Sequence, residues 1–363
     1  MAVFSRYLVP GLMFQSVVIG GGYATGRELM EFFLPAGPLG GLLGLLVSGL
    51  VFGLVLAMGF EFARVTGAYD YRTFCRELLG RGWVVFEIAF FILLLLILAV
   101  IAAASGELAA VNFGVSPVVG TVGLMGLIAL LTFYGSDAIK KVLAAWSFLL
   151  YAVYAALFVF AFIQLGDQIE GAYNAKAVED GWLSGGILYS GYNLAVLPAI
   201  LFAIRGQKSR SEAMGSGLMA GAIAVVPAML FYTALMALYP EIGQAPVPAA
   251  ILMQSLDVPI LSVIFQIVIF GTFVETGTAL LHSVNERIEG NFEETGKVMP
   301  RKLRPFVAVS FLIIAIVGGT WLGVIELIAS GYSLLTLVFI AVLVVPLLTL
   351  GAWRVWATQE LNE

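Results

Sequence analysis

The chain has 363 residues, of which 61% are hydrophobic and only 11% charged, with a net charge of −5, and its mean hydropathy is +1.02. A water-soluble domain carries about 25% charged residues to hold its hydration, so most of this surface must face lipid, and the acidic balance argues against a nucleic-acid partner. One cysteine, Cys75, and one histidine, His282, exclude an intrachain disulfide and leave no cluster for a thiolate or imidazole metal centre.

A helix needs about 20 apolar residues to cross about 30 Å of hydrocarbon, where the backbone must satisfy its own hydrogen bonds. Ten candidates follow in chain order, at roughly 4–33, 38–62, 83–111, 115–133, 139–165, 183–204, 213–238, 258–285, 306–328 and 331–353. The first follows Arg6 as a signal peptide would. Pro10, Gln15 and three glycines interrupt its apolar run, no small-x-small cleavage site follows, and the span is expected to be retained. The ninth and tenth are almost continuous and are expected to divide near Ser330-Gly331. No hydrophilic segment exceeds about 25 residues, so one transmembrane domain is expected over 1–363.

Basic residues provide an independent test of this layout. Arg64, Arg72, Arg76 and Arg81 follow span two, Lys140 and Lys141 span four, and Arg205, Lys208 and Arg210 span six. Arg287, Lys297, Arg301, Lys302 and Arg304 follow span eight, while Arg6 and Arg354 lie near the termini. Sixteen of the 18 Lys and Arg residues thus share one side, with Lys176 opposite and Arg27 within the first span. The pattern predicts a multi-pass inner (plasma) membrane protein with both termini cytoplasmic.

Gly22-Tyr23 of span one recurs as Gly191-Tyr192 of span six, at an offset of 169. Ser48-Gly49-Leu50 recurs as Ser216-Gly217-Leu218, and Glu107 as Glu275, both at 168. A unit of five spans ends on the side opposite its start, so a second copy must enter inverted. The expected architecture is all-α, with repeats at 1–165 and 183–353. Such inverted repeats hold a solute near the midplane, where discontinuous helices meet.

Span one carries Gly20-Gly21-Gly22-Tyr23-Ala24-Thr25-Gly26, and each glycine costs about 1 kcal/mol relative to alanine in a helix. Unwound backbone at mid-depth is tolerated only against protein or a water-filled cavity, and its free amides suit an anion. Span six carries Ser184-Gly185-Gly186, Ser190-Gly191-Tyr192-Asn193 and Pro198, which leaves the Leu194 carbonyl without its helical donor. The plainer reading is close packing, as for Gly40, Gly44 and Ser48 of span two. The matched positions favour functional breaks, with residues 20–25 and 191–194 lining a solute site.

Glu275 lies deep in span eight beside Thr276 and Thr278. A carboxylate there must be paired, protonated or bound to a cation. A coupling-ion site built from Glu275, Thr276, Thr278 and the carbonyls near Val18 and Gly21 is expected, against the alternative of a glutamate hydrogen-bonded between helices. Arg27 and Glu31 stand one helical turn apart and suit either an ion pair or solute contact. Glu107 reads as interfacial, His282 with Glu286 as a solvated helix end, and Asp137 with Lys140 and Lys141 as loop charge.

The run from Val18 to Glu28, Val-Ile-Gly-Gly-Gly-Tyr-Ala-Thr-Gly-Arg-Glu, resembles the first-span signature G-A-G-F-A-S-G-Q/R-E of YkvI-type bacterial membrane proteins. Those belong with the amino acid–polyamine–organocation transporters, whose core is the five-plus-five inverted repeat called the LeuT fold. The resemblance implies that backbone around Gly20 to Thr25 and Gly191 to Leu194 lines a central site. It also implies span-eight hydroxyls as sodium ligands, at positions like Thr276 and Thr278. Glu275 departs from that sodium pattern and brings in proton coupling or a cationic solute. The span-five lysine of proton-coupled relatives has no counterpart, because Lys140 and Lys141 sit at that span's cytoplasmic end.

The function expected is secondary transport of a small zwitterionic solute, an amino acid or a close relative, with H+ or Na+ as coupling ion and no other cofactor. A divalent-cation carrier on the same fold and a non-transporting solute sensor are the alternatives. No HExxH or GxSxG run suggests an enzyme.

Overall fold

The computed structural model describes residues 4–134, 137–174, 178–294, 296–300 and 302–360, all as helices and short connections, with no strand among them. Lipid leaves backbone amides no partner outside the chain, and helices satisfy them within one segment.

Span one is three pieces, α1 (Val9–Val18), α2 (Gly21–Ala24) and α3 (Arg27–Phe33). It is followed by α4 (Gly37–Thr66), the short α5 (Tyr71–Leu79), α6 (Trp83–Phe113), α7 (Pro117–Tyr134) and α8 (Asp137–Gln164). Asp70 caps α5 by accepting from the Thr73 amide at 3.0 Å. A bend of 76° separates Leu149–Gln164 of α8 from α9 (Gly166–Asn174). The second half holds α10 (Trp182–Asn193), α11 (Leu197–Ile200), α12 (Arg210–Leu235), α13 (Pro248–Ser255), α14 (Pro259–Glu294), α15 (Leu303–Glu326), α16 (Ser333–Phe339) and α17 (Ala352–Glu360). Lys176 lies outside the described residues, as do the side chains of Asp137, Lys140 and Lys141.

By length and composition, six helical stretches can cross a membrane, or seven with the bent pair, among the described residues. The expected count of ten divides two of these stretches and adds the shorter apolar helix Pro117–Thr132 as span four. Arg27–Thr66 joins the end of span one to span two, and Leu303–Thr358 joins spans nine and ten. The second stretch has 56 residues, about 84 Å at 1.5 Å per residue, far beyond one crossing. Its break is at Gly323, where φ is 75° and ψ 169°, and Leu327–Tyr332 continues as a π turn. The division expected at Ser330-Gly331 therefore moves to the residue whose missing Cβ permits that backbone.

The centre of the bundle is α4 against α12, with α10 on α4 and α1 on α12. Small residues bring these backbones together. A Cβ on Gly217 would lie 2.3 Å from the Ala57 amide nitrogen, and one on Gly221 2.3 Å from the Gly49 carbonyl oxygen. Ser48 Oγ donates across to the Gly186 carbonyl at 2.9 Å. Around this centre, α15 packs on α6 and α14 on α7 and α8, while α16 packs on α10 and α6.

Candidate functional site

The interruption of span one lies where its glycines predict it. After Val18, Ile19 turns to ψ 64° and Gly20 is extended at φ −96°, ψ −164°, before α2 makes a single turn. Gly26 then takes φ 80°, the left-handed region open to glycine, and α3 begins. The groups this frees find partners. Thr25 Oγ1 donates to the Gly22 carbonyl at 2.7 Å, the Tyr154 hydroxyl of α8 donates to the Ala24 carbonyl, and the Ala249 amide of α13 donates to the Thr25 carbonyl at 2.9 Å.

Glu28, which the sequence reading left without a role, occupies this interruption. Its Oε1 would lie 2.2 Å from a Cβ on Gly22, so the carboxyl sits in the space that glycine leaves. It accepts from the Tyr23 amide and, through Oε2, from the Tyr192 hydroxyl of α10 at 2.6 Å. One buried carboxyl thus joins spans one and six.

Span six departs from expectation in where it changes. It is regular α-helix through Gly185, Gly186, Gly191, Tyr192 and Asn193, tightens to a 3-10 turn at Leu194–Val196, resumes as α11 at Leu197, and tightens again at Leu201–Ile204. Its glycines serve packing: a Cβ on Gly185 would lie 2.1 Å from the Phe32 carbonyl oxygen, one on Gly186 2.5 Å from that of Gly44, and one on Gly191 2.5 Å from Thr336 Cγ2. Asn193 Nδ2 turns back onto the Tyr189 carbonyl at 2.9 Å, and Leu194 is fully buried. The helix is distorted at Leu194–Val196, where the missing Pro198 donor predicts it, and not at its glycines, and its contribution at the interruption is the Tyr192 side chain.

Aromatic rings surround the Glu28–Tyr192 contact. Tyr192 stacks on Tyr332 at 4.4 Å and on Phe32 at 5.8 Å, and meets Tyr189 edge-on at 5.9 Å. The hydroxyls of Tyr23 and Tyr189 are buried and have no hydrogen-bond partner among the described residues. Tyr23 also lines a cavity of about 190 Å³ with Ile19, Tyr151 and Tyr154 of α8, and Pro227 and Leu230 of α12. This cavity flanks span one on the side of α8, where the expected void lay between spans one and six.

The proposed coupling residues lie on α14, which packs against α2. Glu275 and Thr276 are half-buried. Thr278 Oγ1 is buried without a partner among the described residues. The Val18 carbonyl accepts from the Gly20 amide at 2.8 Å and the Gly21 carbonyl from the Thr25 amide at 3.3 Å. Arg27 pairs with Glu31 at 2.6 Å, the reading spacing alone supports, and also donates to the Gly243 and Ala245 carbonyls at 2.6 and 3.3 Å. His282 faces Glu286 at 3.9 Å with both side chains more than half exposed, and Glu107 is half-buried on α6.

No protein-family model matches the chain. A curated relative, "Uncharacterized membrane protein YkvI" of Bacillus subtilis (strain 168), is 23% identical over 285 residues, 76% of this chain and 79% of the relative. The Eremococcus coleocola manganese transporter superposes with a TM-score of 0.60 at 16% identity, over 95% of this chain and 78% of that one. Inward-facing Mhp1 gives 0.56 at 13%, over 90% and 73%. A Na+-coupled sialic acid symporter in its outward-open state gives 0.53 at 13%, over 94% and 86%. The chain shares the fold of these solved transporters. It is a multi-pass membrane protein, by its long apolar helices and its membrane-protein relative.

Proposed function

We propose that the chain is a secondary active transporter of a small zwitterionic solute, an amino acid or a related compound, working by alternating access. The observation that carries this reading is the interruption of span one at Ile19-Gly20, bridged to span six by the Glu28–Tyr192 contact. Membrane-embedded backbone is unwound where it faces a cavity or a solute, and in transporters such breaks meet at the solute site. Residues 20–25 and 191–194 then form the site. Val18, Gly21, Glu275, Thr276 and Thr278 handle the coupling ion, H+ or Na+.

Ten spans arranged as inverted repeats over 1–165 and 183–353 complete the proposal, with both termini cytoplasmic in the inner membrane. Helix pairing supports it. Contacts of α1 with α12 and α10 with α4 exchange under the repeat, as do those of α15 with α6 and α7 with α14.

The manganese transporter shares the fold, yet no group of three or more His, Cys, Asp or Glu side chains stands together as a metal site among the described residues. The zwitterionic-solute reading is therefore preferred. Uptake of radiolabelled amino acids into proteoliposomes, with a proton or sodium gradient imposed, tests it. Accumulation that depends on a gradient and falls in Glu275→Gln is expected. Absence of uptake for every amino acid refutes the substrate class, binding without uptake identifies a sensor, and unaltered Glu275→Gln removes that residue from coupling.

A further inference from the structure

Three glutamates are buried among the described residues, and two of them face a cation: Glu61 pairs with Arg64 at 2.7 Å and Glu87 with Arg287 at 3.2 Å. Glu28 differs. Its two partners, the Tyr192 hydroxyl and the Tyr23 amide, are both neutral. The adjacent guanidinium of Arg27 is turned the other way, its two terminal nitrogens on Glu31 and on two carbonyls of the segment before α13, with its buried Nε unpartnered among the described residues. A carboxyl buried in low dielectric without a cation is held as the neutral acid, and it becomes an anion at acceptable cost only when a positive charge completes it.

The surroundings suit one kind of cation. Tyr192, Tyr332 and Phe32 form a stack beside the carboxyl, with Tyr189 edge-on to Tyr192. Aromatic faces attract ammonium groups electrostatically, more strongly once water is excluded. The buried hydroxyls of Tyr23 and Tyr189 have no partner among the described residues, and both lie close to Glu28, as does Tyr332. An ammonium group supplies three N–H donors, enough for the carboxylate and two oxygens that now accept nothing. A divalent metal would require several further acidic ligands, which are not gathered here.

We propose that Glu28, within its box of tyrosines, recognises the ammonium group of the solute. This rests on the transporter reading and narrows the substrate class. The solute must carry a free, protonated amine, and its carboxylate contributes less, because the chain's own carboxyl already takes the Tyr23 amide. In the closed arrangement the Tyr192 hydroxyl holds the position the ammonium takes, so loading requires Tyr192 to give up that hydrogen bond.

The experiment measures thermal stabilisation of the purified full chain by the standard amino acids, their N-acetyl derivatives and the corresponding decarboxylated amines. The free amino acid that stabilises and its decarboxylated amine should both bind, the N-acetyl derivative should not, and Glu28→Gln should weaken amine binding about 30-fold or more, the size of a lost charge-assisted hydrogen bond. A second measurement uses the unmodified chain, in case the variant does not fold. Labelling of Glu28 by dicyclohexylcarbodiimide, read by mass spectrometry, should be suppressed by the amine. Binding of the N-acetyl form as tightly as the free amine, full affinity in Glu28→Gln, absence of binding by every amine, or labelling that the amine leaves unchanged each overturns the assignment. Amine binding without flux refutes transport and leaves the recognition standing, whereas flux of N-acetylated solutes does the reverse.

Discussion

Replacing Gly22 with alanine tests whether the span-one interruption exists to seat a carboxyl. A Cβ there would lie 2.2 Å from Glu28 Oε1 and 2.9 Å from both its Cδ and Cγ. All three atoms belong to the outer part of a flexible side chain, so the backbone can keep its course while the carboxyl moves. The carboxyl then loses the Tyr192 hydroxyl at 2.6 Å and the Tyr23 amide. Hydrogen bonds to a charged group contribute about 1.5–3 kcal/mol each. If the displaced group recovers one of the two, and alanine returns about 1 kcal/mol of helix preference, the net loss of stability is about 0.5–2 kcal/mol. The variant should therefore fold, with a modestly lower melting temperature in detergent, while losing affinity for any amine ligand. Melting and binding indistinguishable from the parent chain would mean that Glu28 does not occupy this space. Failure to fold would mean that the helix, and not the carboxyl, requires the glycine.

Other consequences can be read from the same packing. Gly221→Ala sets a Cβ against backbone atoms of Gly49 and Gly53 at 2.3–2.8 Å, so α4 and α12 must separate, at a cost of about 1–3 kcal/mol in a melting assay. Gly126→Ala, mid-helix in α7 with nothing within 4 Å, should raise the melting temperature by an amount corresponding to up to about 1 kcal/mol. Arg287 pairs with Glu87 and lies over the rings of Tyr71 and Phe90 at 3.7 and 4.2 Å. Glu87→Leu leaves that buried charge without its partner and should cost about 3 kcal/mol or more in the same assay. Tyr154→Phe removes the hydroxyl that the Ala24 carbonyl accepts, and should lower the melting temperature by an amount corresponding to about 1–2 kcal/mol.

What could be read in advance was what depends on local chemistry. Three glycines at mid-span announce an interruption, because each weakens the helix where no water can help, and the structure breaks at Ile19-Gly20. Spacing of four placed Arg27 on Glu31 and His282 near Glu286. Glycines of span six looked the same in sequence yet pack against Phe32, Gly44 and Thr336. Composition cannot tell a glycine that unwinds a helix from one that admits a neighbour. Glu28 was missed for a related reason: its partner Tyr192 is 164 residues away, and only tertiary packing folds the carboxyl back over Gly22. The one available signal was an acidic residue directly after a glycine break, with its only adjacent cation already matched to Glu31. The division of the last two spans went to Gly323 because a lone glycine in an apolar run carries no mark that it will adopt a positive φ.

The central claim is that the interrupted segment of span one is reached from each face of the membrane in turn. Gly20→Cys, in a Cys75→Ser background, offers a direct probe, since a Cβ at Gly20 meets only the Val17 carbonyl oxygen, at 3.6 Å. A membrane-impermeant thiol reagent applied to oriented vesicles should modify this cysteine from either face, and a bound solute should shift the balance between the two. Modification from one face only, whatever the solute or ion gradient, would contradict alternating access.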